Sequence, residues 1–338
     1  MKSYHANKGA GLASLTVKEH DIPVPGPHEV LVRVQAASLN YRDLAILSGT
    51  YPLPIKLDGI PLADGAGSVV ATGSGVTRAR TGDRVGATPL PQWIDGPFGG
   101  WDYAAQIGGS LDGLLTEYAV LHEEWIVHIP DHLSFEEAAA LPTAGIAAWN
   151  ALTGGGRPLL AGETVLTLGS GGVSLFAFQF AKLFGAHVIV TTSSEEKAQR
   201  LKALGADEVV NYRTTPNWHE AVRELTDGRG ANHVVESIGP STFEQSIKAT
   251  AIEGQITQVG WFPSDVSTID LGAFFFGLVT MRSIFAGSRA QFLAMNRAIA
   301  QGRLKPVIDR VFPFEDAQAA YRYYQETQPF GKVIISQS

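Results

Sequence analysis

The sequence predicts a mixed α/β fold in two parts, a β-rich N-terminal domain and a doubly wound parallel sheet, and three observations carry that expectation. Apolar runs in the first third are short and separated by Pro and Gly clusters. From about residue 131 onward, apolar strand-like runs alternate with amphipathic helical stretches. Between the first two runs of that alternation lies a glycine cluster, Gly169-Ser170-Gly171-Gly172.

Taken in order, residues 29–34, 67–72 and 114–121 read as strands, because β-branched and apolar residues dominate each run and turn formers bound it. The segment 89–113, with Trp93, Pro97, Trp101 and several glycines, reads as a long irregular loop. At Ser134 the texture changes. A serine cap followed by Glu136 and Glu137 opens a helix, and a second helix spans 144–152. Residues 164–168, 188–192, 208–211, 234–236, 256–259 and 281–285 then read as strands with helices between most of them, which implies parallel order. Past Ser288 come a helix (291–301), a strand (307–312), a helix (315–325) and a final strand (332–335). This tail does not continue the wound sheet and is expected to return to the first domain. The predicted domains are therefore 1–130 with 289–338, and 131–288.

A length of 338 residues suits two domains, and 45% hydrophobic with 17% charged residues describes an ordinary globular chain. The formal charge of −7 gives no electrostatic footprint for nucleic acid or an anionic membrane, which leaves a small molecule as the expected partner. With no cysteine, disulfides, thiolate zinc sites, iron–sulfur clusters and a cysteine nucleophile are excluded. The first residues, MKSYHANKGAG, lack the apolar core of a signal peptide, and no run reaches about 18 uninterrupted apolar residues, so a cytoplasmic location is expected. His28, His122 and His219 each precede a glutamate, but none has a second histidine four residues on, so no HExxH site exists. Neither a GxSxG elbow nor a GxxxxGK[ST] loop occurs.

The glycine cluster carries more. A buried strand at 165–168 delivers the chain to glycines that permit a tight turn and close approach to a pyrophosphate, and the helix starting near Gly172 offers its amides and dipole to that anion. Ser170, Gly171, Gly172 and Val173 are thus the expected phosphate turn of a dinucleotide site. Val173, Phe176, Ala177, Phe180 and Ala181 recur at helical spacing and face this helix to the sheet. Ser174 stands where the third glycine of GxGxxG belongs and is small enough for close packing. An NAD site ends its second strand with an acid about 20 residues past the first glycine. Here Thr192 holds that place, with neutral Thr191, Ser193 and Ser194 beside it, so a 2′-phosphate meets hydroxyls and NADPH is favoured over NADH. Glu195 and Glu196 oppose that preference, unless Ser193 and Glu196 form a capping box.

Several strings, Ser38 to Asp43 (SLNYRD), Ile60 to Gly67, Gly82 to Val85 (GDRV), Leu141 to Gly145 (LPTAG), the glycine turn and Phe330 to Val333 (FGKV), resemble the medium-chain dehydrogenase/reductase superfamily over essentially the whole chain. That resemblance implies a GroES-like N-terminal domain and a Rossmann dinucleotide-binding domain. Within the superfamily the sequence is similar to the zinc-free branch of quinone oxidoreductases and enone reductases. Where zinc-dependent members carry a Cys and a GlyHisGlu motif, this chain has Asn40-Tyr41 and Ala63-Asp64, and the four-cysteine lobe is missing. No zinc is therefore implied.

The resemblance also implies roles. Tyr41 is the expected hydrogen-bond donor and general acid for the substrate oxygen; its alternative is a half-buried aromatic, with solvent as the proton source. Asn40 would support the nicotinamide or its ribose, Thr143, Gly260 and Gly287 the nicotinamide ring, Lys197 and Tyr212 the 2′-phosphate, and Lys332 a C-terminal cofactor contact. Asp64 reads as structural, paired with Arg42. Trp93, Trp101, Trp261, Phe262, Phe274 and Phe275 line an apolar pocket or belong to the core. The implied activity is NADPH-dependent reduction of an enone or quinone, with an NADP-linked alcohol dehydrogenase or carbonyl reductase as the alternative and a non-catalytic dinucleotide-binding protein as the third reading. The apolar approach to the sixth strand, residues 274–278, would leave a sticky edge, so a homodimer is expected.

Overall fold

The computed structural model describes residues 1–100, 105–260, 262 and 269–337. The chain forms two compact units, Met1–Ile146 with Gly287–Ser338, and Ala147–Ala286. They divide at 146/147 and 286/287, whereas the sequence reading placed the divisions at 130/131 and 288/289. The helix at Phe135–Ala139 packs on strands of the first unit, which carries residues 131–146 into it.

The first unit opens with β1 (Lys2–His5) and β2 (Thr16–Glu19), an antiparallel pair. It continues through β3 (Glu29–Ser38), α1 (Tyr41–Ser48), β4 (Asp64–Thr72), β5 (Arg84–Ala87), β6 (Tyr118–His122), β7 (Ile126–His128) and α2 (Phe135–Ala139). The second unit holds most of α3 (Ile146–Thr153), then β8 (Thr164–Leu168), α4 (Gly172–Leu183), β9 (His187–Thr192), α5 (Glu195–Ala203), β10 (Glu208–Asn211) and α6 (Trp218–Glu224). It ends with β11 (Ala231–Glu236), α7 (Phe243–Ala249), β12 (Thr250–Gln258), α8 (Leu271–Phe276) and β13 (Thr280–Ser283). Helix α9 (Arg289–Gly302), β14 (Ile308–Pro313), α10 (Ala317–Thr327) and β15 (Lys332–Ser336) return to the first unit.

The first unit is built on a seven-stranded sheet in the order β14-β15-β3-β4-β5-β7, with β6 also on β3. Val30, Val32 and Val34 alternate along β3 into one core with Val69, Val85 and Leu121, the period of two that a pleated strand requires. A Cβ at Gly67 would meet the Arg33 carbonyl oxygen at 2.1 Å, so only glycine lets β4 pass the irregular stretch of β3 there. The tail lies in the first unit, where β15 pairs with β3 antiparallel.

In the second unit the sheet runs β10-β9-β8-β11-β12-β13 and every pair is parallel, the doubly wound order. Val165, Leu166, Val188, Ile189 and Val190 are fully buried, because helices cover both faces of such a sheet. β1, β2, β5 and β7 fall outside every run expected as a strand, and two further elements differ from expectation. Only Tyr118–His122 of the run 114–121 pairs as a strand; Leu114 and Leu115 instead bond to Leu62, Pro61 and Tyr4 and fill the core. The stretch Leu141–Gly145 is a π-helical turn ahead of α3, with Pro142, which has no N–H, at its start. Among the described residues no helix is long and apolar enough to cross a membrane.

Helix α1 starts on a capping box between Asn40 and Asp43. The Asp43 Oδ2 accepts the Asn40 N–H at 2.8 Å, while its Oδ1 is buried without a hydrogen-bond partner among the described residues. Burial pushes this carboxyl up to about 6 from its ordinary 3.8, helped by Asp64 and opposed by Arg42 and Lys332. The folded chain therefore holds this proton more tightly than the unfolded one, and the stability so gained, present below about pH 4, is lost as pH rises through about 6, an effect on the order of 3 kcal/mol. Asp43→Asn keeps the capping oxygen and removes the titration. Thermal melts at about pH 4.5 and 7 should show the variant gaining on the parent at the higher pH; a stability difference independent of pH would rule this out.

Candidate functional site

Strand register gathers the polar residues of the first unit. Ser38 at the end of β3 pairs with Asp64 at the start of β4 and with Ile334 of β15, so Asn40, Asp64 and Lys332 meet at one end of the sheet. Gly331, at φ +106°, permits this entry into β15, since a Cβ there would meet the Val307 carbonyl oxygen at 2.4 Å. The Lys332 ammonium donates to the Leu39 carbonyl at 2.8 Å and to Asn40 Oδ1 at 2.7 Å, and lies 3.5 Å from Asp64 Oδ2. Asn40 Nδ2 donates to Asp64 Oδ2 at 2.8 Å, and the Thr143 hydroxyl, from the π-helical turn, donates to Asp64 Oδ1 at 2.5 Å. Lys332 and Asp64 are 3% and 0% exposed. Burial lowers the Lys332 pKa, and the carboxylates of Asp64 and Asp43 pull it back up. Tyr41, on the first turn of α1, is 39% exposed.

In the second unit β8 ends at a turn built to leave its upper side open. Gly169 takes φ +78°, and neither there nor at Gly171 would a Cβ meet any atom within 4 Å. Gly171 caps α4 with no side chain, so the first amides of the helix, at Gly172 and Val173, receive no side-chain cap. The hydroxyl of Ser174, in the third-glycine position, donates to the Leu168 carbonyl at 2.6 Å, and Ser237 donates to the same oxygen at 2.8 Å. At the end of β9, Thr192 Oγ1 is buried with no hydrogen-bond partner among the described residues, and the Tyr212 amide donates to the Thr192 carbonyl at 3.0 Å. An open anion-binding helix start beside an unsatisfied buried hydroxyl fits a dinucleotide.

Ser170 is buried in the turn. Ser194, not Ser193, caps α5 by accepting the Lys197 N–H at 3.2 Å; Glu196 then sits one position too early for a capping box. Arg42 does not pair with Asp64: its guanidinium donates to the Ile107 and Gly108 carbonyls and lies over the Tyr51 ring. Lys332 is an interior residue whose donors face Leu39, Asn40 and Asp64, since β15 lies between β14 and β3. Gly260 and Gly287 are required by close packing, a Cβ meeting the Ser237 oxygen at 1.9 Å and Ile146 Cγ2 at 2.4 Å. Trp93 is buried with its indole donating to Gly96, and Phe274 packs on the core of the second unit. Phe262 and Phe275 are exposed, and Trp101 and Trp261 lie outside the described residues. Sequence reasoning missed Glu236, whose buried carboxylate accepts from Ile238, Gly239, Thr242 and Ser246 and shapes the loop after β11. An acid closing an apolar strand was the available signal.

Residues 26–131 match the family described as alcohol dehydrogenase GroES-like domain, and residues 172–301 the family described as zinc-binding dehydrogenase. A zinc-type alcohol dehydrogenase-like protein of Schizosaccharomyces pombe is 40% identical over 332 residues, 96% of each chain. The quinone oxidoreductase of Pseudomonas aeruginosa is 37% identical over 259 residues, 76% of this chain and 73% of its own. The solved structure of an NAD-dependent alcohol dehydrogenase superposes with a TM-score of 0.89 at 36% identity, covering 100% of both chains. The zinc in these descriptions does not fit the residues present. Among the described residues no three His, Cys, Asp or Glu side chains are gathered to hold a metal, and the cluster at Asp64 already contains an ammonium and an amide. The chain belongs to the medium-chain dehydrogenase/reductase superfamily, in its quinone oxidoreductase-like branch, and is an NAD(P)H-dependent oxidoreductase.

Proposed function

We propose that this protein is a zinc-independent reductase that uses NADPH to reduce an enone or quinone. One observation carries the reading: Lys332, Asn40 and Asp64 balance one another's charge and hydrogen bonds where zinc-dependent relatives would need metal ligands. Polarising the substrate is then the work of protein hydrogen bonds. A reduced nicotinamide, when bound, supplies a hydride but no proton. The chain must therefore steady the substrate oxygen that becomes negative and deliver the proton that completes reduction. Tyr41 is assigned both tasks, as the exposed phenol next to Asn40. Ser170, Gly171, Gly172 and Val173 hold the pyrophosphate, and Asn40, Thr143, Gly260 and Gly287 attend the nicotinamide end. Thr192, Ser193, Lys197 and Tyr212 take the 2′-phosphate, supported by the carboxylate-free end of β9 and the Tyr212 amide bonded to Thr192.

The second reading, an NADP-linked alcohol dehydrogenase or carbonyl reductase, draws on the relatives described as alcohol dehydrogenases. A small-molecule substrate and a cytoplasmic location complete both. A homodimer is part of the proposal as well: β13 is an edge strand, and Leu271, Phe275, Phe276 and Leu278 beside it are 58–80% exposed, an apolar face that a second copy would cover.

NADPH oxidation measured against an enone, a quinone and an aldehyde should be fastest with one of the first two and insensitive to chelators; a preference for the aldehyde selects the second reading. Tyr41→Phe should lower kcat about 10²-fold, and full activity would remove its acid role. Lys197→Ala should raise KM for NADPH about tenfold and leave KM for NADH unchanged, whereas parallel changes would place the phosphate elsewhere. Sedimentation of Phe276→Glu should show monomers where the parent shows dimers; an unchanged mass rejects this face as the interface.

A further inference from the structure

The geometry points to a hydrogen-bond polarity lock: Asp64 and Lys332, both buried, force Asn40 to present a donor and Thr143 to present an acceptor. The inference rests on the reading that Asn40 and Thr143 meet the nicotinamide end of the coenzyme. A lysine ammonium can only donate and a carboxylate can only accept. Lys332 therefore fixes which end of the Asn40 amide faces inward, taking Oδ1 at 2.7 Å. Asp64 Oδ2 takes one hydrogen of Nδ2, and among the described residues the second hydrogen has no acceptor. The single hydrogen of Thr143 goes to Asp64 Oδ1, so only oxygen lone pairs remain on its outer side. Asn40, 9% exposed, and the half-buried Thr143 are the least covered members of this cluster; Asp64 is 0% exposed and Lys332 3%. The two charged residues are positioning residues, and the chemistry they select is a ligand with an oxygen acceptor for Asn40 and an N–H or O–H donor for Thr143.

Replacing the carboxylate by an amide reverses the lock. In Asp64→Asn the new N–H needs an acceptor, Thr143 Oγ1 is the nearest, and the threonine hydrogen turns outward. The test compares the affinity of parent and variant for NADPH and for 2′,5′-ADP, a fragment without the nicotinamide end, with NADH and ADP run in parallel. For whichever coenzyme the parent binds, Asp64→Asn should weaken it about tenfold and leave its fragment unchanged, the loss of about one well-placed hydrogen bond. Thr143→Val should cost as much, and adding Asp64→Asn to it should cost nothing further, because the carboxylate acts through that hydroxyl. If the lone ammonium left in Asp64→Asn prevents folding, Asp64→Asn with Lys332→Met removes it and makes the same reversal at Thr143. Unchanged coenzyme affinity in a folded variant, an equal loss for coenzyme and fragment, or additive effects with Thr143→Val would each overturn the lock. A parent that binds NADH and not NADPH rejects the phosphate preference alone, and one that binds neither rejects both proposals.

Discussion

A single buried ammonium organises the first unit. An unpaired charge in the interior costs several kcal/mol, so Lys332 can be buried only where acceptors converge on it. Three acceptors come from two places: the Leu39 carbonyl and Asn40 where β3 hands over to α1, and Asp64 where β4 begins. Their convergence requires that β15, β3 and β4 keep the register that aligns Ile334, Ser38 and Asp64. A slip of one residue in any of the three would turn a charged group into the apolar core. Charge pairing and strand register thus enforce each other.

The second unit solves a different problem, holding a tight turn open. Its glycine cluster supplies the left-handed geometry at Gly169 and the bare helix start at Gly171. Ser174 departs from the glycine pattern usefully, since its hydroxyl joins that of Ser237 on the Leu168 carbonyl and ties the glycine turn to the loop after β11. That loop is held in turn by Glu236, buried with four donors on its carboxylate. Burial raises this carboxyl's pKa, and the hydrogen bonds work against the rise.

Much of this was legible in the residues. The period of the apolar runs located the strands of the second sheet and β3, β4, β6, β14 and β15 of the first, though not β5 or β7, and the glycine cluster between two of them placed the start of α4 at Gly172. Local patterns failed where long-range partners decide. Nothing near Ser193 reveals that Ser194 caps α5, because the choice depends on how β9 ends. Arg42 and Asp64 looked complementary, yet Arg42 finds carbonyls at 107 and 108 while Asp64 finds a lysine far along the chain. Lys332, expected as a C-terminal cofactor contact, shows its interior place only once the tail is seen to insert between β14 and β3.

The first unit is assembled from two chain segments that flank the whole of the second. During synthesis β3 and β4 leave the ribosome long before β15 exists, so the nascent first unit carries a β3 edge open at residues 36–38 and an Asp64 without its cation. Such an edge is a template for pairing with other chains, which makes the interval before β15 emerges an aggregation-prone one.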